Sequence, residues 1–305
     1  MKPTIFPKIK KMTKTLLFGG SGFFGPVILS KDKNIISVGR TKPPSYCKNK
    51  HIQIDNLDEL NKLDELEFDK VIFLIGSSNH HEINLNIDMG IDFNVYPLNK
   101  ALDYFSKKKL KKFICFTTIL LYDQKKLVIP VDETQDINPY ANKYIFSKYL
   151  SEEIVKFYQN KVPSIIVRLS NIYGYTELRR PDLIPTIMQD VFEKEKVEIW
   201  SNKPKRDFIF TEDAADAVLE LIKTDFKGTI NLGTGKMTSL KEICEIIEEL
   251  SGKKILSENK DVSGPMEFVT DISKIKNLTG WEPKYNISDG LKKTFNIMNE
   301  YHKKD

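Results

Sequence analysis

Leu16-Leu17-Phe18-Gly19-Gly20-Ser21-Gly22-Phe23-Phe24-Gly25-Pro26 sets three apolar residues, four glycines within seven positions and a proline in one unbroken run. The apolar residues read as the end of a buried strand, the glycines as a tight turn, and Pro26 as a residue suited to the first turn of a helix. Strand, glycine turn and helix in that order form the phosphate-binding unit of a doubly wound sheet. Glycines let the backbone approach a pyrophosphate, whose charge faces the free amides and positive end of the helix. Gly19, Gly20, Ser21, Gly22, Phe23, Phe24 and Gly25 are therefore expected to hold a dinucleotide. The string satisfies both GxGxxG (20, 22, 25) and GxxGxxG (19, 22, 25), so spacing alone does not name the subtype.

Working outward, short apolar runs recur at Thr15 to Phe18, Asn34 to Val38, His51 to Ile54, Val71 to Ile75, Phe113 to Thr117 and Ser164 to Leu169. Such runs, separated by charged stretches, predict buried parallel strands. Helices are predicted over Asn84 to Phe105, Pro139 to Tyr158, Asp213 to Lys223 and Ser239 to Leu250, from apolar residues at three and four spacing. The expected architecture is α/β, a Rossmann-type doubly wound parallel sheet with a smaller mixed α/β region. Residues 12–170 are assigned to dinucleotide binding, with segments near 207–235 returning to that unit, and 171–305 mainly to substrate.

A chain of 305 residues, 40% hydrophobic and 29% charged, excludes disordered and low-complexity classes. The net charge of +5 is mild and carried mostly by lysine, which argues against a nucleic-acid partner. Cys47, Cys115 and Cys244 share no close spacing, and the four histidines stand apart from other ligands, so neither a disulfide framework nor a metal is expected. Lysines before an uncharged stretch from Thr15 to Ser30 imitate a signal peptide, but glycines and a proline break that stretch and no A-x-A site follows it. A cytoplasmic protein without a membrane span is the expectation.

The second apolar run ends Val38-Gly39-Arg40, where an acidic residue would receive the adenosine ribose hydroxyls of NAD. Arg40, with Lys42, suits the 2′-phosphate of NADP instead. NADP is therefore favoured, with NAD possible. A proton donor for carbonyl and alcohol interconversion needs a tyrosine and a lysine on one helix face, four residues apart. Four pairs have that spacing: Tyr46/Lys50, Tyr104/Lys108, Tyr122/Lys126 and Tyr144/Lys148. Only the last lies inside a long amphipathic segment that follows a strand ending in hydroxyl residues, Thr117 and Thr118.

Taken with Gly19 to Gly25, the blocks Thr117 to Tyr122, Tyr144 to Lys148, Arg168 to Gly174 and Arg206 to Asp213 occur in an order that resembles the extended short-chain dehydrogenase/reductases, the nucleotide-sugar epimerase/dehydratase family. Asp55-Asn56-Leu57, Val71 to Gly76, Asn94, Asn231 to Gly235 and Gly280 to Pro283 match further family blocks, so the likeness runs from about residue 12 to 298. The resemblance implies hydride transfer to and from a nucleotide-diphosphate sugar. Tyr144 is the implied proton carrier, Lys148 its partner and Thr118 the hydroxyl on the reacting oxygen, with Thr117 as the adjacent rival. Bringing a tyrosine from about 10 to near 7 asks for roughly 4 kcal/mol of differential stabilisation.

The same resemblance puts Arg40, Asp55, Asn56, Ile75, Gly76, Asn94, Tyr144 and Lys148 on the cofactor, and Ser78, Thr118, Ile119, Asn171 and Arg206 on the substrate. It also implies a homodimer through the helices near Asn94 and Tyr144. His80 and His81 follow the fourth run and are expected to form a solvent-facing loop pair, with substrate contact as the alternative. Family dehydratases carry acidic side chains directly after the hydroxyl residue, where this chain has Ile119 and Leu120. Two aliphatic groups perform no acid–base chemistry, so a 4-ketoreductase or a 4-epimerase is expected. Arg40 inclines the reading to the reductase; a nonenzymatic NADP sensor is the remote alternative.

Overall fold

The computed structural model describes residues 14–303 apart from 177, 179 and 263. Its first half runs β1 (Lys14–Phe18), α1 (Gly25–Lys31), β2 (Ile36–Gly39), β3 (His51–Gln53), β4 (Phe68–Phe73), α2 (His80–Leu85), α3 (Ile87–Gly90), α4 (Tyr96–Phe105), β5 (Lys112–Thr118), α5 (Lys143–Tyr158) and β6 (Ser164–Leu169). The second half continues with β7 (Asn171–Tyr173), α6 (Leu183–Glu193), β8 (Val197–Ile199), β9 (Lys205–Arg206), β10 (Phe208–Phe210), α7 (Thr211–Leu221), β11 (Gly228–Leu232), β12 (Thr238–Ser239), α8 (Leu240–Ser251), β13 (Ile255–Ser257), α9 (Ser273–Thr279) and α10 (Ile287–His302).

Seven parallel strands form the main sheet in the order β11-β6-β5-β4-β1-β2-β3. The order reverses between β1 and β4, and the crevice outside the carboxyl ends of those strands is where such sheets take ligands. Alternation along each strand supplies both faces with a core. Leu17, Ile72, Ile114, Ile165 and Ile230 pack towards Ile28, Val218 and Leu221 on one side. Leu16, Phe18, Val71, Phe73, Phe113 and Ile166 pack towards Leu98, Leu102 and Val155 on the other. Fully burying each such side chain is worth about 1.5–3 kcal/mol, so the two-sided apolar strands suffice to define the sheet. A third cluster, built on Ile187, Met188, Val197, Ile243, Ile247 and Leu291, belongs to α6, β8, α8 and α10.

The continuous helix expected over Asn84 to Phe105 is broken. Asn86 caps α3 by accepting from the Asp88 amide at 3.0 Å, a π turn spans Ile91–Val95, and Pro97 lies in the first turn of α4. Asparagine competes for backbone amides and proline lacks one, so each starts a new segment even though apolar periodicity persists. The π turn holds Asn94 in a buried position.

Inside the sheet, Glu152 of α5 is fully buried and receives the Arg168 Nε at 2.9 Å, a second guanidinium nitrogen at 2.8 Å and the Thr117 hydroxyl at 2.8 Å. One carboxylate thus ties α5 to β5 and β6. Among the described residues no helix is long and apolar enough to cross a membrane. Replacing Glu152 with alanine leaves the Arg168 charge buried and unmatched, and should cost about 3 kcal/mol. Urea unfolding checks this: the midpoint should fall with the slope unchanged, and a wild-type midpoint would refute the structural weight given to the pair.

Candidate active site

The glycine turn leaves the end of β1 with Gly19 at φ +86°, a left-handed conformation that disfavours any side chain. The Gly22 amide returns to the Gly19 carbonyl at 3.1 Å. A Cβ on Gly25 would stand 2.3 Å from that carbonyl oxygen and 2.7 Å from the Gly20 Cα, backbone atoms that cannot yield. The turn therefore depends on bare backbone, and α1 begins without a side-chain cap on its amides. Turn and helix start together fit an anionic ligand. At the neighbouring strand ends, Arg40 follows Gly39 with its side chain exposed. Asp55 and Asn56 follow β3, and Asn56 also caps the 3-10 turn Leu57–Leu63 by accepting from the Asp58 amide at 2.8 Å.

Tyr144 and Lys148 occupy the first turns of α5, whose start is capped by Asn142 accepting from the Ile145 amide at 2.9 Å. The Tyr144 amide is held by Asn84 Oδ1 at 2.9 Å, and Thr118 neighbours its buried phenol. Thr117 and Thr118 are thereby separated: the first donates to Glu152, the second accepts from the Leu120 amide at 3.2 Å and lies beside Tyr144. One turn along, Lys148 Nζ lies 5.8 Å from the Tyr144 ring centroid and donates to Asn94 Oδ1 at 3.0 Å. The same Asn94 oxygen accepts from the Ser77 amide at 2.8 Å, and the Asn94 amide group donates to Ser147 Oγ at 3.1 Å. Gly76 sits directly over this junction, where a Cβ would come within 3.0 Å of the Asn94 oxygen.

Burial dominates the acid–base balance. It pushes the Tyr144 phenol well above the ordinary tyrosine range, against the opposing pull of the neighbouring Thr118 side chain, and holds the Lys148 ammonium down to about 8. The Lys148 ammonium lies over the Tyr144 ring, and burial is the largest influence on each group.

The family model for the NAD dependent epimerase/dehydratase family matches residues 15–233. The chain belongs to that family. A relative named as a putative UDP-glucose 4-epimerase of Methanocaldococcus jannaschii is 28% identical over 302 residues, spanning 93% of this chain and 97% of the relative. Among solved structures, the UDP-glucose 4-epimerase of Thermotoga maritima, determined with UDP-glucose, superposes with a TM-score of 0.86 at 20% identity, covering 95% of this chain and all (100%) of that one. The UDP-glucuronic acid 4-epimerase of Bacillus cereus, determined with UDP-glucuronic acid and NAD, gives 0.80 at 22% identity, with 95% and 100% covered. These structural likenesses establish the shared fold.

Within the family framework the remaining positions can be located. Ile119 is buried among Tyr122, Val131 and Phe268, while Leu120 packs beside Tyr144, so neither brings an acid to the reacting centre. Asn171, at the start of β7, donates to the Asp207 carbonyl at 2.9 Å. Arg206 reaches the Pro265 carbonyl through Nε at 3.3 Å, while Asp207 points into the core and binds the Thr234 and Gly235 amides at 2.8 and 3.1 Å.

Two neighbours of the site were not foreseen in these positions. His80, expected in a solvent-facing pair, stacks on Tyr144 with ring centroids 4.1 Å apart, whereas His81 is exposed. Arg180 lies over the Phe23 ring at 4.4 Å, donates to Ser78 Oγ at 3.0 Å and pairs with Asp182 at 2.7 Å. Position after β4 was the available signal for His80. Nothing local marks Arg180, because Ser78 and Phe23 lie more than a hundred residues away in sequence and its pair with nearby Asp182 is an ordinary one.

The depressed Lys148 value has a thermodynamic consequence. Folded, the group gives up its proton near 8; unfolded, near the ordinary 10.5. Between those values the unfolded chain binds more protons, so stability rises with pH across the window and the gain is lost again as pH falls through about 8. The size is on the order of 3 kcal/mol. Urea unfolding of the ligand-free wild type against Lys148→Met from pH 7.5 to 10.5 should show the difference growing in the wild type's favour; parallel curves would contradict a desolvated Lys148.

Proposed function

We propose that the protein is a nucleotide-sugar 4-epimerase working with a retained nicotinamide dinucleotide. The observation that carries this reading is the meeting of Thr118 and Tyr144 at one buried point, with Lys148 anchored on Asn94 beside them and aliphatic Ile119 and Leu120 where a dehydratase needs acids. The names of the M. jannaschii relative and of the T. maritima and B. cereus structures support it, and they favour a UDP-hexose as substrate.

The glycine turn from Gly19 to Gly25, including Ser21, Phe23 and Phe24, would hold the pyrophosphate. Asp55 and Asn56 would meet the adenine side, Arg40 the adenosine ribose, and Ile75, Gly76, Asn94 and Lys148 the nicotinamide half. When bound, the dinucleotide supplies the hydride acceptor and donor. Tyr144, once ionised, takes the proton of the sugar 4-hydroxyl as the C4–H bond breaks, and Thr118 holds the same oxygen in line. Once the keto sugar had turned its other face to the dinucleotide, which would supply the returning hydride, Tyr144 would give the proton back to O4. Asn171 and Arg206 would bind the diphosphate, the latter through its fork of donors. Ser78 and Ile119 would border the sugar.

Incubation with a UDP-hexose should interconvert two sugars with no net change in dinucleotide. Tyr144→Phe should lower kcat at least about a hundredfold. Stoichiometric NADPH consumption with a 4-keto nucleotide sugar would replace this reading with the second one, a 4-ketoreductase, which Arg40 favours. Arg40→Ala should lower the NADPH to NADH affinity ratio about tenfold if that side chain meets a 2′-phosphate; an unchanged ratio discards the role.

A homodimer through α4 and α5 is the assembly we infer, because Tyr96 of α4 is 53% and Phe157 of α5 80% exposed. Phe157→Glu should turn a dimer into a monomer in sedimentation velocity, and a wild-type monomer would exclude the arrangement.

A further inference from the structure

The imidazole of His80 lies against the phenol of Tyr144, centroids 4.1 Å apart and planes inclined by 29°. Stacked rings of this kind are held by contact area and by their quadrupoles, so each restrains the tilt of the other. The restraint acts on a side chain whose hydroxyl is proposed to work beside Thr118. His80 is itself fixed: Asn79 caps its helix by accepting from the Glu82 amide, and the His80 amide donates to the Ser78 carbonyl at 2.8 Å.

We propose that His80 is a positioning residue for Tyr144, its neutral ring keeping the phenol aligned on Thr118 and its protonation releasing that alignment. The inference rests on the proton-transfer role proposed above for Tyr144. Facing the imidazole are Tyr144 and Lys148 from α5, Asp182 from the segment before α6, with Arg180 paired to it, and Arg206 from β9. A charged imidazole is repelled by Lys148 and Arg206 and drawn to Asp182. The change of charge therefore alters how the ring lies on the phenol. Burial is the largest influence on His80 and lowers its proton affinity, ahead of the opposing pull of Asp182. The neutral, stacked form accordingly persists through neutral pH, and the release falls below the ordinary histidine midpoint of about 6.5.

The test uses the full chain loaded with NAD and two variants. His80→Phe keeps a stacked ring and removes the titration: kcat at pH 8 should stay within about threefold of wild type, and the further fall of kcat below pH 6.5, beyond that set by Tyr144 ionisation, should disappear. His80→Ala removes the stack: kcat should fall at least about tenfold with KM within about threefold. In protein carrying tyrosine labelled with 13C at Cζ, the Tyr144 resonance, assigned by its loss in Tyr144→Phe, should show an inflection below pH 6.5 that vanishes in His80→Phe.

A Tyr144 resonance without that inflection, an inflection surviving in His80→Phe, or a wild-type kcat for His80→Ala overturns the proposal. Because the resonance is read without substrate, it decides the stacking contact even if no sugar is turned over. Loss of the epimerase reading would show separately, as turnover retained in Tyr144→Phe.

Discussion

The carboxamide of Asn94 is where the loop at the carboxyl end of β4 and helix α5 are joined. Its oxygen takes the Ser77 amide and the Lys148 ammonium, and its nitrogen gives to Ser147. A carboxamide can accept twice through its oxygen and donate through its nitrogen without adding charge. Because the group is 4% exposed, each of these bonds forms in a low-dielectric setting where an unmade partner is costly. Lys148 is thereby held at a fixed distance from Tyr144, and the loop after β4 is held at a fixed height above both.

That anchoring does not itself prepare the chemistry. Burial raises Tyr144 and lowers Lys148, so both groups are driven towards neutrality. The glycine turn carries the complementary half of the design, a surface of backbone amides with no side chain in the way.

The smaller region reaches the sheet through contacts made at its rim. Arg180 bridges Ser78 and the Phe23 ring, and the Asp182 carboxylate enters the field of His80 and Tyr144. Asp207, fully buried, gathers the Thr234, Gly235 and Thr270 amides beneath Arg206. Electrostatic conditions at the phenol are therefore set by residues from both halves of the chain.

Much of this was legible in the residues themselves. Six short apolar runs became six strands of the main sheet, since strands buried on both faces must be apolar throughout. The glycine turn was legible because only glycine tolerates the Gly19 φ and the Gly25 contact. Helical spacing placed Tyr144 and Lys148 on neighbouring turns. What spacing could not show was the break of the expected long helix at Asn86 and Pro97, because apolar periodicity runs through it unchanged. It could not choose between Thr117 and Thr118, which neighbour each other in β5 but bind different partners, or place His80 on Tyr144 and Arg180 on Ser78. Local periodicity is dictated by neighbours in the chain. Contacts between residues sixty or a hundred positions apart are dictated by how the layers pack, and only the folded molecule brings them together.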